Sequence, residues 1–300
     1  MPCYGALTGY YSSRLNVSGR RSIVFDKRQS LTGVPILIPC GKCIGCRLTW
    51  RRQWAIRCMH EKRLHAASAF ATLTYDDDHL PSPPSLSLSD LQLFMKRLRA
   101  TRPAGLRFFA CGEYGETTWR PHYHLLLFNT DFPDMRYWKD SASGDPLFRS
   151  AELSRLWPSG SNVIGSVTAK SAAYVAGYLT KKVGPAPALP VGFAPEFRVM
   201  SRRPGIGRLW LERFGPEAYR HDSVILDHHE VALPKYYDAV QAVVSTVVVD
   251  GRLRSPFDVH KSERRREGML FNPEDRTKAR MMTRELFELR KSQLFSREEE

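Results

Sequence analysis

Three hundred residues, 42% of them hydrophobic and 25% charged, suffice for one large domain or a domain with an appendage, and they exclude wholesale disorder or a low-complexity chain. Forty-five Lys and Arg against 31 Asp and Glu leave a net charge of +14, which attracts a polyanion and makes nucleic acid the leading partner. The longest apolar runs, such as Leu125 to Phe128, fall far short of the ~20 residues that span a bilayer, so no membrane partner is expected.

Met1 to Gly5 lacks the basic start and apolar core of a signal peptide, which points to a reducing cytosol. The six cysteines are then thiols or metal ligands. Residues 1–39 show no clear period and receive no assignment. From Arg47 to His65 the spacing predicts a helix, with Trp50, Trp54, Ile56 and Met59 as apolar contacts and a heavy load of cations. Ala69 to Tyr75 reads as a buried strand that ends in an exposed loop of Asp76, Asp77 and Asp78.

Ser89 with Gln92 is a capping box for a second helix, in which Leu91, Phe94, Met95 and Leu98 recur at helical spacing through Arg99. Strands follow at Leu106 to Cys111 and at His122 to Phe128, and a loop rich in Asp, Pro and Ser covers Asn129 to Gly144. A short helix around Glu152 to Trp157 and a strand around Asn162 to Thr168 come next. Ser171 to Val183 reads as a helix stopped by Gly184 and Pro185, followed by a basic Pro/Gly-rich connector over 184–210. Beyond Asp250 the chain is densely charged, with a mixed-sign helix at 277–297. Strands and helices interleave without a βα repeat or a Gly-rich phosphate loop. The expected fold class is therefore α+β, a central antiparallel sheet with flanking helices. Three segments are expected: an N-terminal one at 1–46 with the Cys cluster, a core at 47–210, and a C-terminal extension at 211–300 with a charged tail.

Three elements carry chemistry. A period of two puts His122 and His124 on one face of their strand, where both imidazoles can serve one metal ion, while Tyr123 faces away. Two histidines opening a strand are, taken alone, as readily a coincidence of composition. The preceding strand ends at Cys111-Gly112-Glu113-Tyr114-Gly115-Glu116, so a short connection can supply a carboxylate, Glu113 first and Glu116 in reserve. Two imidazoles and one carboxylate leave positions open for substrate and suit Mg²⁺ or Mn²⁺ as a Lewis acid on a phosphate. Tyr174 and Tyr178, four apart, share a helix face, with Lys181 and Lys182 following to stabilise a phenolate. Such a pair is in most helices a core contact. Together the elements describe a tyrosine that attacks a metal-polarised DNA phosphate and stores the bond as a covalent phosphotyrosine.

At these residues the chain resembles the HUH endonucleases, specifically the two-tyrosine rolling-circle replication initiators, and more closely the replication initiation proteins of Microviridae of the gokushovirus type. Phe70 to Tyr75 looks like the first Rep motif, Gly112 to Gly115 with Pro121 to His124 the metal motif, and Tyr174 to Lys182 the tyrosine motif. Pro39 to Arg47 and Met200 to Gly207 look like further blocks of the phage proteins, so the likeness covers roughly residues 36–210. It implies a Rep-like HUH core that nicks one strand of single-stranded DNA at a phage origin, leaving a 5′-phosphotyrosine and a free 3′-OH, with strand transfer and rejoining by the second tyrosine. It further implies a host polymerase and replication helicase as partners, in the host bacterial cytoplasm. The alternatives are a plasmid relaxase or transposase of the same chemistry, or a noncatalytic basic DNA-binding or packaging protein.

The remaining motifs stand apart from that chemistry. Cys40, Cys43 and Cys46 at three-residue intervals can share one ion, with Cys3 as the fourth ligand of a structural zinc site and Cys58 and His60 competing for that place. The same spacing would allow an iron–sulfur cluster, or simply reduced thiols packing a turn. Cys111 is expected to be buried on its strand. Arg51, Arg52, Arg57, Lys96, Arg97, Arg99, Arg202 and Arg203 are the cations expected to track DNA phosphates, although most charges on any helix are only solvated.

Overall fold

The computed structural model describes residues 3–17, 21–115, 118–181, 189–244, 247–249, 252–254 and 277–296, with the side chains of 178–181, 242–254 and 293–296 outside that description. The described residues fall into two compact units, one within 1–49 and 270–296, the other within 50–269. Among them no helix is long and apolar enough to cross a membrane.

The first unit carries a three-stranded antiparallel sheet of β1 (Leu7–Leu15), β2 (Arg21–Val24) and β3 (Ile36–Ile38), with β1 in the middle. Helix α1 (Ile44–Lys62) follows it in the chain. The sequence shows no period over residues 1–39 because these strands bury almost nothing. Among the described residues 3–49 only Gly9, Ile44 and Gly45 are buried, so the inside/outside alternation that marks a strand has no inside to record.

The second unit is built on a seven-stranded antiparallel sheet. Its strands are β4 (Ser68–Tyr75), β5 (Arg107–Tyr114), β6 (Pro121–Phe128), β7 (Arg136–Asp140), β8 (Pro146–Arg149), β9 (Gly160–Gly165) and β10 (Phe197–Met200), in the spatial order β10-β5-β6-β4-β9-β8-β7. The expected α+β class with a central antiparallel sheet is borne out. Two hydrophobic layers cover its faces. On one, Leu73, Tyr75, Tyr123, Leu125 and Leu127 pack with Leu91, Phe94, Met95 and Leu98 of α2 (Leu88–Ala100) and with Trp157 at the end of α3 (Ala151–Leu156). On the other, Phe109, Cys111, Leu126 and Phe128 meet Trp54 and Cys58 of α1 and Ala172, Val175 and Ala176 of α4 (Ala169–Lys181). Cys111 is buried on its strand as expected.

A third apolar cluster joins Ile56 of α1 to α5 (Arg208–His221), the hairpin of β11 (Ser223–Leu226) with β12 (His229–Ala232), and α6 (Lys235–Val244). Beyond these come the short hairpin of β13 (Val247–Val249) with β14 (Arg252–Arg254), and α7 (Lys278–Ser296) with mostly exposed side chains. In the third cluster His60 stacks on the Trp210 ring at 3.5 Å and meets the Tyr237 hydroxyl at 3.0 Å. Nearby, buried Glu61 holds Arg107 and accepts from the Gly207 backbone N–H at 2.6 Å, tying α1 to the start of β5 and to the segment that follows β10.

Four local expectations are corrected. Ser87, not Ser89, caps α2: its hydroxyl accepts from the Asp90 N–H, while Asp90 takes the Tyr75 phenol at 2.6 Å. Helix α1 starts at Ile44 and stops at Lys62, three residues earlier at each end than the spacing predicts. The loop expected over Asn129 to Gly144 contains edge strand β7, all of whose residues are exposed. The connector expected over 184–210 contains edge strand β10. An edge strand packs little and pairs on one side, so its pattern is weak.

Burial pushes His60 down to about 3 and His122 down to about 4. The unfolded chain takes up these protons near pH 6.5, the folded chain only well below, so the unfolded state gains population as the medium is acidified through that interval. Unfolding free energies from urea titrations are expected to fall on acidification from pH 7 to pH 5, with a slope that approaches about 1.4 kcal/mol per pH unit for each such ring once the medium is below pH 6.5. His60→Gln should flatten that slope.

Candidate metal and tyrosine site

Strand β6 lies between β4 and β5, and its register decides the site. His122 pairs with Thr74 of β4 and Glu113 of β5; His124 pairs with Thr72 and Cys111. Residues paired across a sheet point to the same side, so both imidazoles, both threonine hydroxyls and the glutamate share the face covered by α1 and α4. Tyr123 points to the opposite face, where its phenol meets the Tyr75 hydroxyl at 2.9 Å and the Ser87 N–H at 2.8 Å. Glu113 therefore sits within β5. The carboxylate expected from a connection after a strand ending at Cys111 comes from the strand itself, which runs on to Tyr114. Glu116 lies outside the described residues.

His124 Nε2 is 2.7 Å from Glu113 Oε1, and its Nδ1 is 3.0 Å from Thr72 Oγ1. His122 Nδ1 is 2.9 Å from Thr74 Oγ1. Each ring is thus gripped at Nδ1 by a hydroxyl from β4, which leaves Nε2 as the nitrogen presented to the site. Such a partner on the far nitrogen is what orients a metal-binding imidazole. Burial, with His124 and Arg120 adding to it, pushes His122 down to about 4, so at neutral pH its ring is an uncharged lone-pair donor. A Cβ at Gly115 would come within 3.2 Å of His122 Nε2, so glycine there keeps that nitrogen open to approach.

The chemistry of this donor set fits a divalent cation. Glu113 is buried, and among the described residues its Oε2 has no hydrogen-bond partner, a costly state for a carboxylate oxygen unless a cation or donor completes it. The trio is looser than the cysteine group below, with the two imidazole ring centres 6.5 Å apart.

Helix α4 brings the tyrosine motif to the same face. The Tyr174 ring stands perpendicular to that of His124 at 5.2 Å and meets Phe70 edge-on at 6.4 Å. Small residues at Ala172 and Ala176, buried with Val175, let the helix lie close to the sheet. Arg51 of α1 donates through Nε to the Ala173 carbonyl at 3.3 Å, and its side chain fills the space over Gly177. Tyr178 and Lys181 belong to α4, but their side chains lie outside the described set; Lys182 lies outside the described residues altogether.

Two residues beside the site were not singled out from the sequence. Arg198 of β10 pairs with Cys111, which puts it on the face of Glu113; its guanidinium lies 4.9 Å from the Trp50 ring centre, and its buried Nη1 has no hydrogen-bond partner among the described residues. Just before β10, Glu196 accepts from the Tyr114 N–H. The alternation of Glu196, Phe197, Arg198 and Val199 was the available signal.

The other expected residues sit elsewhere. Arg52 is half-buried on α1, and exposed Arg202 and Arg203 line a groove of about 770 Å³ with Arg99 and Arg107. Arg107 opens β5, so this groove lies at the far end of the strand from Glu113, about 20 Å away at 3.3 Å per residue. Asp76 is bound to His79, and Asp77 to Arg120, in an exposed loop, as expected. The four thiols of Cys3, Cys40, Cys43 and Cys46 come together with all sulfurs within 4.8 Å of one another. Cys58 is instead buried against Trp54 and Phe109, and His60 is engaged with Trp210 and Tyr237.

Residues 68–183 match the family model described as replication-associated protein ORF2/G2P. The chain is 36% identical over 208 residues to replication-associated protein VP4 of Bdellovibrio phage phiMH2K, an alignment covering 66% of this chain and 65% of the relative. It is 34% identical over 214 residues to replication-associated protein ORF2 of Spiroplasma virus 4, covering 67% and 66%. With replication-associated protein ORF4 of Chlamydia phage 1 it shares 30% identity over 153 residues, 48% of this chain and 38% of the relative. The chain thus spans just under two thirds of the first two relatives. No solved structure matches it.

If Thr72 and Thr74 orient the imidazoles, removing one hydroxyl loosens the site without removing a ligand. Thr72→Val is expected to weaken Mn²⁺ binding by about 10–100-fold, read by electron paramagnetic resonance titration of free Mn²⁺. Unchanged affinity in a folded variant would show that the hydroxyl does not position His124.

Proposed function

With residues 68–183 matched to the replication-associated protein ORF2/G2P family, we propose that the chain acts in phage DNA replication as a rolling-circle initiator that nicks single-stranded DNA through a tyrosine. The observation that carries this reading is the meeting of Tyr174 with His124, ring against ring at 5.2 Å, above the buried Glu113.

His122, His124 and Glu113 would hold the ion, Mg²⁺ or Mn²⁺, and that ion would supply Lewis-acid polarisation of a phosphate oxygen. The protein does the rest. Tyr174 Oη forms a bond to phosphorus while the P–O3′ bond breaks. The phenolic proton goes to the departing 3′ oxygen by way of solvent, leaving a 5′-phosphotyrosine and a 3′-OH. One phosphodiester replaces another, so no nucleotide triphosphate is needed. Tyr178, one helical turn on, serves as the second nucleophile for strand transfer and rejoining, and Lys181 and Lys182 favour the phenolate. Arg51 holds the Tyr174 turn of α4 against α1. The free 3′-OH would be extended by a host polymerase behind a host helicase, in the host bacterial cytoplasm.

A plasmid relaxase or transposase would use the same groups; the pair of tyrosines one turn apart favours the replication initiator, which must cut twice. A noncatalytic DNA-binding or packaging protein would need only the positive charge, and would leave Glu113 Oε2 buried for no purpose.

Purified protein incubated with single-stranded origin-like DNA and Mn²⁺ should form a covalent adduct whose linked peptide contains Tyr174 or Tyr178 by mass mapping. The double variant Tyr174→Phe/Tyr178→Phe should form none. His124→Ala should slow adduct formation by about 10²- to 10³-fold, the rate equivalent of several kcal/mol of Lewis-acid assistance, while keeping salt-sensitive DNA binding that rests on many cations. An undiminished adduct in the double variant would discard the tyrosine assignment, and a DNA shift with no adduct in the wild type would favour the binding module.

A further inference from the structure

We propose that Cys3, Cys40, Cys43 and Cys46 bind one Zn²⁺ as a closed tetrathiolate site that folds the N-terminal sheet. All four sulfurs lie within 4.8 Å of one another, and Cys3 Sγ and Cys43 Sγ are 3.9 Å apart. Four donors on one ion in tetrahedral array require separations in this range, since Zn–S bonds run about 2.3 Å. The thiols are also wired to the backbone as metal-bound sulfurs are. The Cys40 N–H points at Cys3 Sγ at 3.2 Å, the Cys43 N–H at Cys40 Sγ at 3.4 Å, and the Tyr4 N–H at Cys43 Sγ at 3.4 Å. Such N–H donors are of use to sulfurs carrying negative charge, and three neutral thiols have little need of one each.

An independent observation says why the site is needed. The described residues 3–49 form a three-stranded sheet and the start of α1, yet their only buried hydrophobic side chain is Ile44. Large apolar residues such as Leu7, Leu15, Ile23 and Leu37 are exposed. A segment of this size without a core needs a staple, and metal binding then supplies folding free energy directly. The ligands are placed to do so: Cys3 precedes β1, Cys40 follows β3, Cys43 precedes α1 and Cys46 lies in its first turn. One ion thus joins both ends of the sheet to the helix start.

The chemistry also fixes the kind of site. Four thiols lose four protons and bind Zn²⁺ as a dianionic complex, whose charge Lys42 and Arg47 in the chelating segment offset. No position is left open for water or substrate, so the role is structural. The four thiols take no part in the nicking chemistry.

The test is the metal content of the full chain purified without added metal, with His122→Ala/His124→Ala as the partner variant. About one zinc per chain is expected in both, released by a thiol-blocking mercurial. Replacement by Co²⁺ should give the intense visible bands and near-ultraviolet thiolate charge transfer of a tetrahedral sulfur site. Cys3→Ser, which keeps three ligands, should retain a weakened site with altered bands, and stripping the wild type with a strong chelator should lower its melting temperature. Zinc lost in the histidine variant would overturn the assignment, as would stoichiometric iron. So would metal-free protein, whether its six thiols all titrate in denaturant or fewer do because a disulfide has formed.

Discussion

Everything the site can do depends on one constraint, the period of two along β6 between two partners in fixed register. His122, His124, Leu126 and Phe128 share one side of that strand, and Tyr123, Leu125 and Leu127 the other. The apolar end anchors the strand in both layers. A slip of one residue would turn the imidazoles to the α2 side and bury a phenol among α1 and α4, so the hydrophobic pattern itself keeps the histidines where Thr72, Thr74 and Glu113 can reach them. The polar groups are spectators of register rather than its source. They are short-range and costly if mispaired, whereas the Leu and Phe contacts specify one alignment over the whole strand.

The parts legible in the sequence are those where burial is strongly one-sided. The alternation in Ala69 to Tyr75 and His122 to Phe128, and the helical recurrence of Leu91, Phe94, Met95 and Leu98, record the apolar layers they enter. The meeting of His124 with Tyr174 could be inferred because two unusual pairs occur in one chain, although neither pair means much alone. Strands β7 and β10 were not legible, since edge strands exchange packing for solvent and carry mixed polarity. The N-terminal sheet was invisible for a related reason: with so little buried, its sequence has nothing to alternate about. Glu113 was legible as a residue but not in its place, because Tyr114 and the glutamate extend β5 through polar positions that read as a turn. The Ser87 cap was missed because Ser85, Ser87 and Ser89 recur at spacings that all resemble a helix start, and the Tyr75–Asp90 contact that settles the choice is long-range.

The positive charge of the chain is spread along more than one surface. Arg202 and Arg203 gather with Arg99 and Arg107 at one end of β5, whereas Arg198 lies on the same face as Glu113. Arg51, which composition alone would assign to phosphate, is spent on the backbone of α4. A net charge thus reports affinity for a polyanion and says little about which cation touches it. Arg198, part-buried with an Nη1 that has no hydrogen-bond partner among the described residues, has more to gain from an anionic ligand than an exposed arginine does.

A transfer that exchanges one phosphodiester for another releases almost no free energy, so a tyrosine-based nickase has little driving force to spend on rearrangement, and its groups must already stand close to their working positions. The face beneath α4 has that character. Each imidazole is fixed at Nδ1, the glutamate is walled in by β5 and β6, and the helix carrying Tyr174 rests on alanines that hold it near the sheet. The Glu113 oxygen left without a hydrogen-bond partner among the described residues sits beside a large apolar core. The N-terminal unit has no such reserve, with one buried hydrophobic side chain among its described residues 3–49. One protein thus presents two opposite situations: in the larger unit apolar packing surrounds a buried polar site, and in the smaller one the proposed tetrathiolate would supply what packing does not.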